Sequence, residues 1–379
     1  MNRQNNYLIC LAAILILTLL LSLLPIYASP ESAKSPNVSA RSATLYEPET
    51  SRFLYSKNAT ERLPMASTTK IMTALIAIEH AELDDIVKID DRAIGVEGSS
   101  AYLRRGDILT MEELLYALLL QSANDAAVAI ACHIGGGIEE FAEIMNERAE
   151  SLGLSDTHFT NPHGLDDPEH YTTANELAII AAEAIGNPTF RKISSTYKKS
   201  FITEDRSRTY VNHNKLLKLY DGSIGMKTGF TKKSGRCLVG AAERDGLTFI
   251  TVTLDAPNDW NDHREMLDFG YSKLEKITLA TPYEFSYDMK ILDGNSQSVT
   301  VTNTDEASII IERGEHTVEK FVKLARYGIA PVRSGEILGE IIFTLDGEKA
   351  ASVKLISSDT VDKKQEDGFF KRLYKNIFG

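Results

Sequence analysis

The chain has 379 residues, 43% of them hydrophobic and 25% charged, an ordinary composition for a globular protein of about two domains. Its formal net charge is -12, so the body of the protein is not expected to bind nucleic acid or anionic lipid over a broad surface. Three cysteines are too few for a disulfide framework. Cys10 lies in the leading apolar run. Whether Cys132 and Cys237 pair is left open by the sequence, and two buried free thiols are the favoured interpretation.

The N-terminus carries an uncharged apolar run, Tyr7–Leu24, shortly after Arg3. A basic residue, an apolar stretch and then a small residue, Ala28, at a plausible cleavage point are typical of a signal peptide. The run is also nearly long enough to cross a bilayer, so an uncleaved anchor stays open. Either way, residues 1–28 predict export, and residues 29–42, with Pro, Ser and Ala, read as a linker.

Strands are expected first and helices next along the chain. Two short strands with a turn near Pro48 are predicted between Ala43 and Tyr55. Capping boxes that begin at Thr110 and Thr173 each open an apolar helix, because the threonine hydroxyl and a glutamate three residues later satisfy free N–H groups. The predicted helices are Met111–Leu120, Ala126–Ile134, about Ile138–Leu152, an alanine-rich helix ending at Ile185, and His263–Leu274.

Further strands follow the helices. Cys237–Ala242 and Leu247–Leu254 are predicted to form a hairpin through Asp245-Gly246. This order predicts an α+β fold, an antiparallel sheet packed against a helical group, for residues 43–277. Residues 278–360 are predicted to form a small all-β domain, a spacer or a partner-binding module without a titratable cluster. Its predicted strands are Val299–Thr302, Ala307–Glu312, Ile337–Leu345 and Ala350–Ile356.

The C-terminal end, residues 361–379, is predicted to be a polar linker followed by an amphipathic helix. In a helix, the stretch Phe369–Phe378 gathers its apolar side chains on one face, with Lys371, Arg372 and Lys375 outside that face. This pattern on an acidic chain favours a helix that lies on a membrane surface. A helix that docks on its own protein is the alternative.

The pair Ser67 and Lys70 is the most informative feature of the chain. The two residues are three apart at the start of the apolar run Ile71–Ile78, so in a helix they share one face. A serine needs a base to become a nucleophile, and a lysine can be that base when burial or a helix N-terminus destabilises its ammonium. The same helix start offers free N–H groups for an oxyanion. Alone, the pair is a weak signal that also fits a capped surface helix.

Two other fragments favour the catalytic interpretation over a capped surface helix. They are Ser122-Ala123-Asn124 and Lys227-Thr228-Gly229. Separately, the first could be a turn between helices and the second a strand end with a turn glycine. Together with Ser67-x-x-Lys70, and in this order, they match the signature of penicillin-binding proteins and serine β-lactamases. The joint occurrence on an exported chain is far more specific than any one fragment.

The sequence around these fragments resembles the low-molecular-weight penicillin-binding proteins, serine D-alanyl-D-alanine carboxypeptidases of the DacF type in peptidase family S11. The resemblance covers about Ala43–Leu274, and the β domain and the tail also fit the layout of that family. Met65, in place of an expected second proline, and Phe230, in place of a histidine found in some members, are minor departures. The motifs that carry the resemblance are Leu63–Thr73, Ser122–Ala127, Asn161–Leu165 and Gly225–Thr231.

The resemblance implies how the reaction proceeds. Ser67 is the nucleophile that attacks the carbonyl of the penultimate D-alanine and forms an acyl-enzyme, and Lys70 is its base. Ser122 relays a proton towards the leaving amine. Asn124 holds the substrate amide.

The resemblance also implies the groups that recognise the substrate. Lys227 tunes Ser122 and adds positive potential, and Thr228 binds the terminal carboxylate. The backbone N–H groups of Ser67 and Phe230 form the oxyanion hole. Gly229 lets an extended substrate approach the strand. A looser match makes His213 or Arg264 a further carboxylate ligand.

The expected partners are peptidoglycan stem peptides, with β-lactams as covalent inhibitors, and the expected location is the outer face of the cytoplasmic membrane. No cofactor and no metal are expected, since the eight histidines are scattered and no His-Glu-x-x-His occurs. His163, in the turn Asn161–Gly164, is given a local structural role.

Other functions stay open. A class A serine β-lactamase needs a glutamate for deacylation, and the nearest candidate, Glu176, is already assigned to the capping box at Thr173. A non-enzymatic wall-binding protein with a degenerate site is disfavoured because all three motifs are intact. The sequence does not separate carboxypeptidase from endopeptidase or transpeptidase action.

Overall fold

The structure, a computed structural model, describes residues 34–202 and 207–365. The chain divides into two units, Met1–Lys34 and Ser35–Gly379, and all the described residues except Lys34 belong to the second unit. The predicted leader and the predicted amphipathic helix Phe369–Phe378 lie outside the described residues. Within the described ranges, no helix is long and apolar enough to cross a membrane.

The N-terminal part of the described chain is a mixed α and β domain. Its strands are β1 Ser42–Glu47, β2 Arg52–Lys57, β3 Ile86–Lys88, β4 Ile108–Thr110, β5 Lys198–Ile202, β6 Ser207–Val211, β7 Ser223–Thr231, β8 Gly235–Arg244 and β9 Leu247–Leu254. Its helices are α1 Lys70–His80, α2 Met111–Leu120, α3 Asn124–Ile134, α4 Ile138–Ser151, α5 Ala174–Gly186, α6 Pro188–Ser194, α7 Leu216–Leu219 and α8 Asp259–Lys273. The predicted helices and the predicted hairpin are confirmed, whereas β5, β6, α6 and α7 were not predicted.

A five-stranded antiparallel sheet in the order β2-β1-β9-β8-β7 divides this domain into two layers. Side chains alternate between the faces of a strand. Val239 and Ala241 therefore pack against the helical group that contains α1, α2 and α3, while Leu238 and Ala242 pack against α8. Strand β7, which carries Lys227, lies at one edge of this sheet, and the sheet is buried on both faces. The outer backbone groups of β7 can therefore pair with a further strand.

Helix α2 lies in the centre of the helical group, and every residue in it except Glu112 is buried. The hydroxyls of Thr110 and Thr173 accept hydrogen bonds from N–H groups three residues later, both at 3.2 Å, as the capping boxes predict. The other predicted bond of the box at Thr173, from the carboxylate of Glu176 back to the N–H of Thr173, is wrong. This carboxylate instead accepts hydrogen bonds from the N–H groups of Ser155 and Asp156. Glu176 thus ties the turn after α4 to the start of α5.

The C-terminal part is all β, as predicted. Its strands are β10 Leu274–Ala280, β11 Ser286–Leu292, β12 Ser298–Thr302, β13 Ala307–Glu312, β14 Val318–Leu324, β15 Tyr327–Ile329, β16 Ile337–Leu345 and β17 Glu348–Ser357. Six of them form one sheet in the order β14-β16-β17-β12-β11-β15, and β10 pairs with β13. The predicted boundary at residue 277 falls inside β10, and the domain boundaries stay predictions. The α+β fold with a following all-β domain is confirmed.

The two described cysteines are both free. Cys237 is buried in β8, as expected, but Cys132 in α3 is only partly buried. Burial raises the pKa of the Cys237 thiol to about 11, so it is protonated and inert at neutral pH.

Candidate active site

Ser67 lies in a tight turn of 3₁₀ type, Ala66–Thr69, that leads directly into α1. Ala66 has φ +49°, a left-handed conformation that costs energy for any residue with a Cβ. The hydroxyl of Thr69 donates to the carbonyl of Ala66 at 2.8 Å, and the hydroxyl of Thr68 donates to that of Met65 at 2.6 Å. Side chains of the turn therefore hold the strained backbone that presents Ser67.

Lys70, the first residue of α1, is completely buried, and its Nζ lies 3.0 Å from the Oγ of Ser67. Burial lowers the pKa of Lys70 well below its ordinary value, the neighbouring charge of Lys227 lowers it further, and Asp125 opposes both effects. Burial and Lys227 therefore both favour the neutral form of the amine.

The other two partners of the Lys70 amine fix its orientation. The Nζ donates to the Oδ1 of Asn124 and to the backbone carbonyl of His163, each at 2.6 Å. Both partners are acceptors only, so they take the two hydrogens of a neutral amine and leave its lone pair for the third neighbour, the hydroxyl of Ser67. The Nδ2 of Asn124 donates to the carbonyl of Glu97 at 2.6 Å, which fixes which end of the amide faces Lys70.

Ser122 and Asn124 come from the connection between α2 and α3. Ser122 is buried with φ +60°, so it is a second non-glycine residue of the site with a left-handed backbone. The N–H of Asn124 donates to the carbonyl of Ser99 at 2.7 Å, which ties this connection to the loop before β4. A Cβ on Gly98 would lie 2.8 Å from the Nδ2 of Asn124, so only glycine leaves room for that amide.

The strand β7 supplies Lys227, Thr228 and Gly229. Lys227 is buried, its Nζ donates to the carbonyl of Thr228 at 2.7 Å, and burial lowers its pKa to about 7. A Cβ on Gly229 would lie 3.0 Å from the backbone nitrogen of Ser67. The glycine therefore allows the strand to lie directly against the turn that carries Ser67.

A cavity of about 370 Å³ opens in front of these groups. Six of the residues named from the sequence line it together, namely Ser67, Ser122, His213, Thr228, Gly229 and Phe230. Its other lining residues are Ser99, Lys215, Arg236, Cys237, Asp259 and Trp260.

Of the two candidates for a further carboxylate ligand, His213 lines the cavity and Arg264 does not. Arg264 is exposed on α8 and is not among the described lining residues. The sequence did not reveal two cations that line the cavity, Lys215 and Arg236, and Arg236 pairs with Phe230 across β7 and β8. Its Nη2 donates to both carboxylate oxygens of Asp259, at 2.9 and 2.7 Å, so the guanidinium is held in place. Only the pairing of β7 with β8, which places Arg236 opposite Phe230, could have indicated this residue.

The turn Asn161–Gly164 is the second feature that the sequence left incomplete. Its role was predicted as local, yet the carbonyl of His163 is a ligand of the Lys70 amine and the carbonyl of Pro162 accepts from Thr73 of α1 at 2.6 Å. Gly164 has φ +83°, and a Cβ there would lie 1.9 Å from the carbonyl oxygen of Ala66. This turn is therefore packed directly beneath Ser67.

His170 supports the same turn from behind. Its Nδ1 accepts from the N–H of Thr160 at 3.0 Å, so the Nε2 carries the proton and donates to the hydroxyl of Thr69 at 2.7 Å. Thr69 in turn donates to Ala66. Burial lowers the pKa of His170 to about 4, which keeps the ring neutral in this arrangement.

Two family models match the chain. The peptidase S11 family, D-alanyl-D-alanine carboxypeptidase, matches residues 29–258, and the C-terminal domain of penicillin-binding protein 5 matches residues 281–363. The D-alanyl-D-alanine carboxypeptidase DacF of Bacillus subtilis is 34% identical over 345 residues, 88% of each chain. DacC of Escherichia coli, of the same description, is 29% identical over 92% of this chain and 90% of its own.

Solved structures agree with the sequence relatives. Penicillin-binding protein 5 from Haemophilus influenzae superposes with a TM-score of 0.63 at 28% identity, over 87% of this chain and 99% of that one. A mutant of the Streptomyces K15 DD-transpeptidase has a TM-score of 0.60 at 33% identity, over 62% of this chain and 99% of that one. The chain therefore belongs to the peptidase S11 family of D-alanyl-D-alanine carboxypeptidases, which are serine-type peptidases.

Proposed function

We propose that the protein is a serine D-Ala-D-Ala carboxypeptidase that removes the terminal D-alanine from peptidoglycan stem peptides and is acylated by penicillin. One observation carries this function. The buried amine of Lys70 lies 3.0 Å from the Oγ of Ser67 and 2.6 Å from each of two groups that only accept hydrogen bonds, the Oδ1 of Asn124 and the carbonyl of His163. A neutral amine with its lone pair on a serine hydroxyl is a general base in contact with its nucleophile.

Acylation begins when Lys70 takes the proton of Ser67. The Oγ then attacks the carbonyl carbon of the penultimate D-alanine. The developing oxyanion is stabilised by the N–H groups of Ser67 and Phe230. The closeness of Gly229 to the nitrogen of Ser67 supports this pairing, because it brings the two backbone segments side by side.

Departure of D-alanine needs a proton on its nitrogen. We assign this step to Ser122, whose hydroxyl passes a proton to the leaving amine, and we assign to Lys227 the tuning of Ser122. The pKa of Lys227, lowered to about 7 by burial, makes its charge responsive to what the cavity contains. A bound carboxylate favours the charged form of this lysine.

Recognition of the substrate uses its free carboxylate and its backbone. Thr228 donates a hydroxyl to the terminal carboxylate and Lys227 supplies positive charge. Asn124 holds the substrate amide, and the free edge of β7 pairs with the extended peptide. His213, which lines the cavity, and Arg236, held by Asp259, add cationic or polar contacts at its rim.

Water then hydrolyses the ester on Ser67. For a β-lactam adduct this step is expected to be slow. Glu176, the carboxylate considered for a β-lactamase, is already bonded to the N–H groups of Ser155 and Asp156. A carboxypeptidase is therefore favoured over a β-lactamase.

The test is mass spectrometry of the protein after reaction with labelled penicillin, together with an assay of D-alanine release from a peptide ending in D-Ala-D-Ala. We expect one adduct, on the peptide that contains Ser67, and none in Ser67→Ala. Ser99→Ala is the matched control, because it removes another hydroxyl that lines the cavity. An adduct on another residue, rapid turnover of penicillin, or no release of D-alanine would refute this function.

We propose also that the protein is exported and held on the outer face of the cytoplasmic membrane. The support is in the sequence, namely the leader 1–28 and the amphipathic stretch Phe369–Phe378. The proposed division has a linker at 29–42, the peptidase domain at 43–277, the β domain at 278–360 and the tail at 361–379. Fractionation of cells that make the full chain, or a chain ending at residue 365, tests whether the tail retains the protein on the membrane.

A further inference from the structure

Strand β14, Val318–Leu324, forms one edge of the six-stranded sheet, and among the described residues its outer side pairs with no other strand. Its ladder with β16 continues through all seven residues without a bulge. Val318, Phe321 and Val322 are 43%, 49% and 41% exposed. A regular edge of this length, with exposed apolar side chains, is a surface on which another strand can pair.

The two faces of β14 differ in how they meet solvent. Alternate side chains of a strand point to opposite faces, so Glu319, Phe321 and Lys323 share one face. Lys320 lies on the other face, where its Nζ is 4.2 Å from the centroid of the ring of Phe285. Lysine on an edge strand usually discourages pairing, but this lysine is held against its own domain. The first face therefore determines which strand the edge accepts.

A second copy of β14 suits this edge because the strand is self-complementary. When two copies pair antiparallel over all seven residues, Phe321 of one copy lies opposite Phe321 of the other, on the two-fold axis. Glu319 of each copy then lies opposite Lys323 of the other, so an ion pair flanks the aromatic pair on both sides. At the ends, Val318 lies opposite Leu324. Charge and apolar character match in the register that uses the whole strand.

The other edges of the two large sheets do not share this property. Strand β15, Tyr327–Ile329, has only three residues. In β2, Arg52–Lys57, the register that pairs every residue places Arg52 opposite Lys57, and like charges in that position oppose pairing. Strand β7 is the edge assigned to the substrate.

We propose that the protein forms a dimer in which β14 pairs antiparallel with β14 of a second copy, in the register centred on Phe321. The two six-stranded sheets then become one continuous sheet. None of the described residues that line the active-site cavity belongs to β14, so the pairing uses none of them. Seven paired residues bury less area than a standard protein–protein interface, so the dimer is expected to be weak and concentration-dependent.

Cysteine cross-linking of the full chain tests the register. Residues directly opposite in an antiparallel pair have Cα atoms about 4.5 to 5.5 Å apart, which a disulfide can span. Phe321→Cys should therefore give a disulfide-linked dimer under mild oxidation. Lys323→Cys should not, because its two cysteines would lie four residues apart along the strands, about 13 Å. A mixture of Glu319→Cys and Lys323→Cys chains should link, and the wild-type chain, with its own three cysteines, gives the background.

Sedimentation of the full chain in detergent, over a range of protein concentrations, tests the charge pairing. We expect a monomer–dimer equilibrium for the wild-type protein. Lys323→Glu should raise the Kd of the dimer about tenfold, because it places two carboxylates opposite each other at both ends of the interface. Exchanging the charges, Glu319→Lys together with Lys323→Glu, should restore most of the affinity.

Lys354→Glu is the matched control. Lys323 and Lys354 both lie opposite Glu340, one on each side of β16, but Lys354 is on the inner strand β17. The control therefore makes the same charge change beside the same glutamate and should leave the Kd at the wild-type value. Thermal unfolding verifies that each variant is folded.

Three results would overturn the proposal. One is a wild-type chain that stays monomeric at every concentration. Another is a dimer whose Kd Lys323→Glu does not raise, since such a dimer forms through another surface, such as the C-terminal tail. The third is a Phe321→Cys chain that links no more than Lys323→Cys does, or that links in cells to a different protein instead of to a second copy.

Discussion

The charge on one buried amine determines whether Ser67 can react. Lys70 has two neighbours that only accept hydrogen bonds and one hydroxyl that can donate. A protonated amine could satisfy all three, but it could not remove a proton. Because burial and Lys227 both lower the pKa of Lys70, activity is expected to fall as the pH falls through that lowered value.

Lys70→Arg should therefore inactivate the protein although arginine is also a basic residue of similar length. A guanidinium stays protonated at every working pH, so it cannot act as the base. We expect the second-order rate of acylation by penicillin to fall about 10³-fold. Stopped-flow or quenched labelling gives this rate.

Lys232→Arg is the matched control, since Lys232 is exposed in the turn after β7. It should acylate at the wild-type rate. An active Lys70→Arg protein would exclude Lys70 as the base.

His170 acts on Ser67 only through Thr69 and Ala66, so it is a positioning residue. His170→Phe keeps the aromatic ring next to Phe159 but removes both hydrogen bonds. We expect acylation about tenfold slower, because the strained turn at Ala66 loses its support. His170→Gln, which can still donate to Thr69, should restore most of the rate.

His158→Phe makes the same change on a neighbouring strand segment and should have little effect on acylation. Thermal unfolding of each variant separates stability from rate. A His170→Phe protein that is destabilised but acylates at the normal rate would show that His170 supports the fold and not the nucleophile.

At the level of elements, the turn Asn161–Gly164 and the start of α1 behave as one unit. Gly164 combines a left-handed backbone with close contact to the carbonyl of Ala66. Gly164→Ala should therefore displace the turn beneath Ser67 and slow acylation about 10²-fold. The measurement is again labelling by penicillin.

Gly153→Ala separates the effect of a left-handed backbone from the effect of a steric clash with a neighbouring segment. Gly153 has φ +75°, but a Cβ at this position would have no neighbouring atom within 4 Å, so alanine there meets only the backbone penalty of about 1 to 2 kcal/mol. It should lower the free energy of unfolding by that amount and leave acylation unchanged. Equal effects on acylation in both variants would refute the steric coupling of the two turns.

Helix α8 is attached to the sheet by a buried histidine whose protonation opposes folding. The ring nitrogens of His263 contact the hydroxyls of Thr251 and Thr253 of β9, at 2.7 and 3.0 Å, and burial lowers its pKa to about 3. The ordinary pKa of a histidine, 6.5, applies to the unfolded chain. At pH values between 6.5 and about 3, the unfolded chain therefore binds one proton more than the native protein. Stability therefore falls by about 1.4 kcal/mol per pH unit as the pH decreases through this window.

His263→Gln should remove that one-proton contribution. The free energy of unfolding, measured in urea between pH 7 and pH 5, should then depend less steeply on pH, whatever its absolute value. His80→Gln, a substitution at the exposed end of α1, is the matched control. The same slope in His263→Gln as in the wild-type protein would contradict the linkage.

The sequence predicted those elements whose signals are local. Thr110 and Thr173 mark helix starts because their side chains bond to nearby backbone, and Asp245-Gly246 marks a hairpin because both residues adopt positive φ. The hairpin β5–β6 was not predicted, since Phe201 and Tyr210 acquire their burial from ring contacts with each other and with Tyr116. The edge strand β14 was not predicted because six of its seven residues are exposed, which leaves no alternation.

The residues of the site also fall into those that a local sequence pattern predicted and those that it did not. Ser67, Lys70, Ser122 and Lys227 were found from short motifs whose spacing follows from local geometry. The bidentate hold of Asp259 on Arg236 depends on how α8 meets the sheet. Contacts of this kind are set by tertiary packing and leave no mark on either segment alone.

For the whole molecule, the question is what joins the peptidase domain to the β domain. Strand β10 continues from α8 and pairs with β13, and Ile310 of β13 packs against the core beneath α8. An ion pair, Arg52 with Glu312 at 2.8 Å, spans the same junction but is largely exposed. An exposed ion pair contributes at most about 1 kcal/mol, so the apolar contact is expected to dominate.

Ile310→Ala should therefore destabilise the neighbouring domain as well as its own. The chain has a single tryptophan, Trp260 in α8, so its fluorescence reports unfolding of the peptidase domain. We expect Ile310→Ala to lower the free energy of unfolding seen by this probe by about 1 to 2 kcal/mol, since the side chain is half-buried.

Arg52→Ala should lower the same free energy of unfolding by less than about 1 kcal/mol. Ile329→Ala, exposed on the edge strand β15, should cost almost nothing. If Arg52→Ala costs as much as Ile310→Ala, the ion pair and not the apolar contact couples the domains. If neither variant alters the tryptophan signal, the two domains unfold independently in spite of their shared ladder.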